Sequence, residues 1–183
     1  VDGEARWEYH YLAVALQRDP TIALDRVLFS QPRIGAIKFD DLEKTGLAKT
    51  KLPDWKSDSK DRDPLLEYDC IILGDVAPDE MPLDQRRRIE KFVAERGGTL
   101  IMSAGKRNLP MAYVDPEDPF VKMLPIQTPR EEKRDTGFDL KRTGEGKLRS
   151  FLQLEPDRPG VDWPELPKHY WGIVGKPRPA ASA

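Results

Sequence analysis

Ser103 is the first residue whose chemistry is in question. It stands in TLIMSAGKRN, residues 99–108, where an apolar run meets Ser103, Ala104 and Gly105 and two cations, Lys106 and Arg107, follow. In α/β enzymes the small residue at such a strand-end corner can be a nucleophile, provided that a base activates it and a carboxylate orients the base. The chain has two histidines, His10 and His169, and neither stands in a metal-type His-x-x-x-His spacing. MSAG does not match the G-x-S-x-G elbow. Ser103 therefore reads as a strand-end turn residue, with a nucleophile as the competing reading. Asp75 follows a stretch that reads as strand, and VDG before a helix looks like the last residues of a first strand, so Asp2 and Asp75 belong at the same edge as Ser103. RWEY, residues 6–9, has two readings. Trp7 packs in the core with Arg6 and Glu8 as flanking helix charges, or Arg6 and Glu8 line the crevice at the strand ends, where open α/β sheets bind ligands. The candidate crevice is thus Asp2, Gly3, Arg6, Glu8, Asp75, Ser103, Gly105, Lys106 and Arg107. No catalytic residue, metal ligand or cofactor is assigned. Lys106 and Arg107 could hold an anion if backbone N–H groups join them.

These residues need elements to place them. Residues 4–18 have a helical period in which Trp7, Tyr11, Val14 and Ala15 share a face and Leu12 and Leu16 widen it. Asp19-Pro20 ends that helix. TIALDRVLFS reads as a strand near 22–29. Residues 31–64 are a charge-rich excursion with a short helix near Asp40–Thr45 and low order. Cys70 to Leu73 is a continuous apolar run, read as a central parallel strand covered on both faces, with Cys70 as a buried small hydrophobe. Residues 83–96 form a helix with Pro82 in its first turn. Leu83, Ile89, Phe92 and Val93 form its buried face, and Arg86, Arg87, Glu90 and Lys91 its wet one. Gly97-Gly98 stops it, and Thr99 to Met102 returns as a strand. The result is a βαβ unit. Further on come a short helix at 119–124, an edge strand at 125–127, and a β-hairpin over 137–154 turning at Gly144-Glu145-Gly146. A proline-rich tail closes the chain, with Trp163, Tyr170 and Trp171 able to pack across the domain. VDG at the start reads as the last residues of a first parallel strand, and the chain as a piece of a longer protein.

Composition narrows the function. A chain of 183 residues is the size of one domain with a real core. Net charge is −2, which gives no pull toward nucleic acid or an anionic membrane. The QRRRIEK run, residues 85–91, is interrupted by acids and reads as a solvated helix face. No stretch approaches the ~20 apolar residues of a membrane span, and no stretch of these residues reads as a signal peptide, though neither absence decides the compartment. With a single cysteine an intrachain disulfide is impossible.

VDGEARWEYHYLAVALQRDPTI (1–22), YDCIILGDVAPDEMPLDQRRRIEKFVAERGGTLIMSAG (68–105) and LPKHYW (166–171) together resemble the class I glutamine amidotransferase-like superfamily. The closer resemblance is to a degenerate branch found in large planctomycete-type bacterial membrane-anchored proteins beside von Willebrand factor A-like domains. The resemblance implies a flavodoxin-like three-layer α/β/α sandwich with a mainly parallel sheet and a small C-terminal β-hairpin extension, one domain over 1–183. The superfamily's enzymes carry a Cys at the corner where Ser103 stands, with a late His-x-Glu. This chain has no Cys there, and its late histidine reads His169-Tyr170-Trp171. The resemblance therefore implies a non-catalytic interaction or scaffold module, without glutaminase or esterase activity. Its partners would be proteins, other domains of the same chain included, in a membrane-anchored parent. The alternative is a small-ligand-binding or hydrolase domain that uses the strand-end crevice.

Overall fold

The computed structural model describes residues 1–31, 48–56, 58–153, 166–179 and 181. Their contacts divide into two compact units, Val1–Met123 and Leu124–Ala183. The class is α/β, with a small parallel sheet in the first unit and an antiparallel pair in the second.

In the first unit, helix α1 spans Trp7–Gln17. Strand β1 is Cys70–Leu73, helix α2 is Leu83–Ala94, strand β2 is Thr99–Met102, and helix α3 is Pro119–Met123. β1 and β2 pair in parallel, with Cys70 opposite Thr99 and Leu73 opposite Met102. This is the βαβ unit that the apolar runs and the intervening 3.6-residue period predict. α2 starts at Leu83 after Pro82, which fixes its own φ and has no N–H to leave unpaired. Gly97, at φ +71°, turns the chain out of the helix, and Gly98 N donates to Phe92 O at 3.0 Å.

Parallel alignment continues beyond the named strands. Val1 N donates to Ile72 O and Gly74 N to Val1 O, each at 2.8 Å. Asp2 bridges Leu28, and Val27 bridges Lys49, both in parallel. The order across this edge is Lys49, Val27–Leu28, Val1–Asp2, β1, β2. Val1 and Asp2 therefore lie beside β1 in parallel. The strand expected near 22–29 shrinks to Val27 and Leu28. Upstream, Asp19 Oδ1 accepts from Thr21 N at 2.9 Å and Thr21 Oγ1 at 2.6 Å, and a local side-chain turn of this kind competes with a ladder.

The core of this unit joins Ile71 and Leu73 of β1 to Ile89 and Phe92 of α2, with Val76, Met81, Leu109, Tyr113 and Phe120 around them. Leu100 and Met102 of β2 pack against it. The opposite face of the strand pair is open, because Cys70 and Thr99 are exposed and Ile101 is 48% exposed. Two expectations are corrected here. The four-residue apolar run is covered on one face, and Cys70 is not buried. The period of two sends Ile71 and Leu73 inward and leaves Cys70, at the strand start, on the open side.

α1 corrects the core reading of RWEY. Trp7 is 74% and Tyr11 63% exposed, their rings stacked on each other with centroids 5.8 Å apart. The inward line is Ala13, buried, with Tyr9, Val14 and Leu16 half-buried. The apolar residues of α1 nearly encircle it, so periodicity alone does not single out the face that docks. In α2, Ile89 and Phe92 are buried as expected, but Leu83 is exposed and Arg86 is not on the wet face. Arg86 Nη1 donates to Pro78 O at 2.9 Å and Met81 O at 2.6 Å, its Nε lies 3.0 Å from Asp118 Oδ2, and its guanidinium sits over Tyr113.

The excursion falls partly outside the described residues, as do its expected helix near 40–45, Ile34, Ile37, Phe39 and Leu42. Its described end is bound into the unit. Leu52 is buried in the core, and Asp63 is buried against Arg88 of α2. Trp55 is half-buried; its Nε1 donates to Asp61 O at 2.8 Å, and Arg88 lies over its ring.

In the second unit, strand β3 spans Ile126–Phe138 and strand β4 His169–Pro177, paired antiparallel. The hairpin expected over 137–154 is therefore built from other residues. Gly146–Leu148 and Ser150–Leu152 are short 3-10 turns, and the aromatic end of the tail is strand. Leu154 and Trp163 lie outside the described residues. Trp171 pairs across the ladder with Lys133, and its indole N–H meets Glu131.

Candidate functional site

The carboxyl ends of Val1–Asp2, β1 and β2 meet in one corner of the first unit. Asp2 and Asp75 are both buried, at 3% and 5% exposure. A buried carboxylate must be hydrogen-bonded or paired, and both are.

Asp75 is held by the loop after β2. Its Oδ1 accepts from Asn108 N at 2.8 Å and Leu109 N at 2.7 Å, and its Oδ2 accepts from Arg107 N at 3.0 Å. Asn108 Nδ2 reaches back to Asp75 O at 3.4 Å. The loop closes on itself through Gly105 N to Leu109 O at 2.8 Å. Gly105 is buried, and a Cβ built on it would collide with the Asp75 carboxyl group. Three successive backbone N–H groups aimed at one anion form a nest.

Asp2 joins the other two elements. Its Oδ1 accepts from Gly3 N at 2.9 Å and Asp75 N at 3.1 Å. Arg6 forks onto it, Nη2 to Oδ2 at 2.8 Å and Nε to both oxygens at 3.1 Å. Arg6 lies just ahead of α1, so one guanidinium ties the start of that helix to the sheet edge. Arg107 extends over the corner and pairs with Glu4.

Of the expected crevice residues, Asp2, Gly3, Arg6, Asp75, Gly105 and Arg107 thus share one network. Glu8 is largely exposed and approaches Arg6 only at 3.9 Å. Ser103 enters through its backbone, N to Leu73 O at 2.8 Å, as a strand-end residue does. Lys106 is exposed. Sequence reasoning missed Glu4, Asn108, Leu109 and Tyr113, whose hydroxyl donates to Val76 O at 3.0 Å. Asn108 alone carried a signal, a short amide closing a Gly-led turn.

A general base must offer a lone pair to a substrate proton, and the Asp75 oxygens already accept three backbone N–H groups, two at Oδ1 and one at Oδ2. His10 is exposed on α1, edge-on to Tyr11. His169 belongs to the second unit, its ring tilted against Phe138. Cys70 starts β1, three residues before the corner end of that strand, roughly 10 Å at ~3.3 Å per residue. Desolvation pushes its thiol pKa up, the direction opposite to an activated thiolate. Among the described residues no three His, Cys, Asp or Glu side chains gather as a metal site. No described helix is long and apolar enough to cross a membrane.

Comparison with protein-family models, with curated proteins and with solved structures finds no match to this chain.

Proposed function

We propose that the chain is a non-catalytic interaction or scaffold module, a degenerate glutamine amidotransferase-like domain with a flavodoxin-like sandwich plan, working within a larger bacterial protein and binding protein partners. One observation carries the reading. The corner that would hold a nucleophile and its substrate is filled by the chain's own hydrogen bonds, three from loop N–H groups to Asp75 and a guanidinium fork to Asp2. The parallel order Lys49, Val27–Leu28, Val1–Asp2, β1, β2 supports a doubly wound α/β sheet, and the serine in place of a corner cysteine supports loss of the chemistry.

The test is ammonia release from glutamine and hydrolysis of a p-nitrophenyl ester by the purified chain and by Ser103→Ala. Both rates are expected at the buffer background for both proteins. A wild-type rate above background that Ser103→Ala abolishes would establish the hydrolase alternative instead.

A further inference from the structure

We propose that the loop at 105–109 is a carboxylate receptor whose resident ligand is the side chain of Asp75, so that shortening this side chain opens a site for a free small carboxylate. The inference concerns what the corner binds, and it stands whether or not the domain is a scaffold.

Geometry carries it. Both Asp75 oxygens are used, by N–H groups of Arg107, Asn108 and Leu109 at 2.7–3.0 Å. N–H groups focused on one ionised group are charge-assisted donors, and no donor of this set turns to another acceptor. The loop is also shaped around the occupant. Gly105 presses on the carboxyl group so closely that any Cβ would overlap it. Asp75 N is itself fixed by Asp2 Oδ1 at 3.1 Å, and Asp2 by Arg6, so the floor of the site is held independently of the Asp75 side chain. Remove the carboxyl group and three aligned donors, a glycine wall and a fixed floor remain, with no anion. Leu109 is buried and Asn108 half-buried, so leaving their N–H groups unmade is costly, and a ligand that satisfies them stabilises the fold by mass action.

The ligand class follows from the atoms removed. Asp75→Ala deletes a carboxylate, the size of formate. Asp75→Gly deletes a carboxymethyl group, the size of acetate. The experiment is thermal unfolding of the wild type, Asp75→Ala and Asp75→Gly in rising sodium formate or acetate, against sodium chloride at matched ionic strength. The expected result is a lower Tm for both variants, with a saturable recovery by formate in Asp75→Ala and by acetate in Asp75→Gly. The wild type, its nest filled, should respond to the carboxylates no more than to chloride. Variants that respond no more than the wild type would overturn the proposal.

Should neither variant fold with or without carboxylate, Asp75→Asn decides, because it keeps the volume and removes the charge. Its Oδ1 still accepts from Asn108 N and Leu109 N, but its Nδ2 faces Arg107 N donor to donor, so amide exchange is expected to accelerate at Arg107 by about tenfold or more, while the amides of α2 keep their wild-type rates. Unchanged exchange at the Arg107 amide would mean that the carboxylate is not what orders the loop.

Discussion

Gly105 lies against the Asp75 carboxyl group with no room for a side chain, so one methyl group tests the corner. Gly105→Ala must move either the loop or the carboxylate, and both break the N–H bonds from Arg107, Asn108 and Leu109. The expected loss is about 2–4 kcal/mol, the upper range for a single substitution, from overpacking plus the unmade hydrogen bonds of a buried carboxylate. Gly144→Ala is the control, since a Cβ there meets nothing within 4 Å, and it should change stability by less than about 0.5 kcal/mol. Urea unfolding of the two variants beside the wild type checks both values. The positions of Asp75 and Gly105 were legible in the sequence, because each follows an apolar run that must end at one sheet edge, and Asp2 was placed beside them because VDG precedes a helix. Their task was not. Whether a strand-end carboxylate faces solvent or the N–H groups of its own loop depends on the path of 105–109. That path is set by contacts between residues more than 30 positions apart, such as Asp75 with Asn108.

At the scale of elements, legibility followed how uneven each element's faces are. β1, α2 and β2 were readable because α2 has one apolar stripe between two apolar runs, and Ile89 and Phe92 are fully buried as that stripe requires. α1 misled, since it carries apolar residues on nearly every side and docks through Ala13, leaving Trp7 and Tyr11 outside. Trp7→Ala should therefore alter stability by no more than about 0.5 kcal/mol. Phe92→Ala in α2 should cost about 3–5 kcal/mol by opening a core cavity. A Trp7→Ala loss as large as that of Phe92→Ala would place Trp7 in a core and refute this account of α1. α2 also anchors the end of the charged excursion. Arg88 donates from Nε and Nη2 to the two oxygens of Asp63, each at 2.7 Å, and from Nη2 to Pro53 O at 2.9 Å. Burial works against the ionised Asp63, but the Arg88 hydrogen bonds and Leu65 N hold its pKa below the ordinary 3.8. The sign follows from linkage. A lowered folded pKa gives stability that is full above 3.8 and is lost as pH falls through the folded value. The urea midpoint of Asp63→Asn should fall below that of the wild type at neutral pH, and the gap should narrow on acidification below pH 4, roughly the carboxylate range. A gap that stays constant or widens on acidification would contradict this assignment. Charge density made this segment look solvated in the sequence. Sequence pattern cannot show that one of its many acids is matched to a buried arginine 25 positions away.

For the whole molecule, the distinction between the two units is one of core. Every member of the buried hydrophobic cluster, from Val27 to Phe120, belongs to Val1–Met123. Among the described residues, the second unit is built on a two-stranded ribbon, in which β3 mixes half-buried and exposed residues and β4 is half-buried from Trp171 to Gly175. The sequence misplaced this ribbon for a physical reason. Gly144-Glu145-Gly146 offers a local turn, whereas the observed ladder joins Glu131 to Ile173 and Lys133 to Trp171, residues about 40 positions apart. No local signal favours the longer closure, which is chosen by the pairing of β-formers in β4 with a β3 that reads as charged and polar. A two-stranded ribbon alone is marginal in water, while a helix-covered parallel pair with a closed core has its own source of stability. A fragment of residues 1–125 is therefore expected to fold by itself. Its far-UV circular dichroism should show helix and its urea transition should be cooperative, and Gly105→Ala should weaken it as it weakens the full chain. A fragment of residues 124–183 should show no cooperative transition under the same conditions. If 1–125 were unfolded in isolation while the full chain unfolds in one sharp step, the stability of the first unit would come from the second, and the core bounded by Val27 and Phe120 would not be self-sufficient.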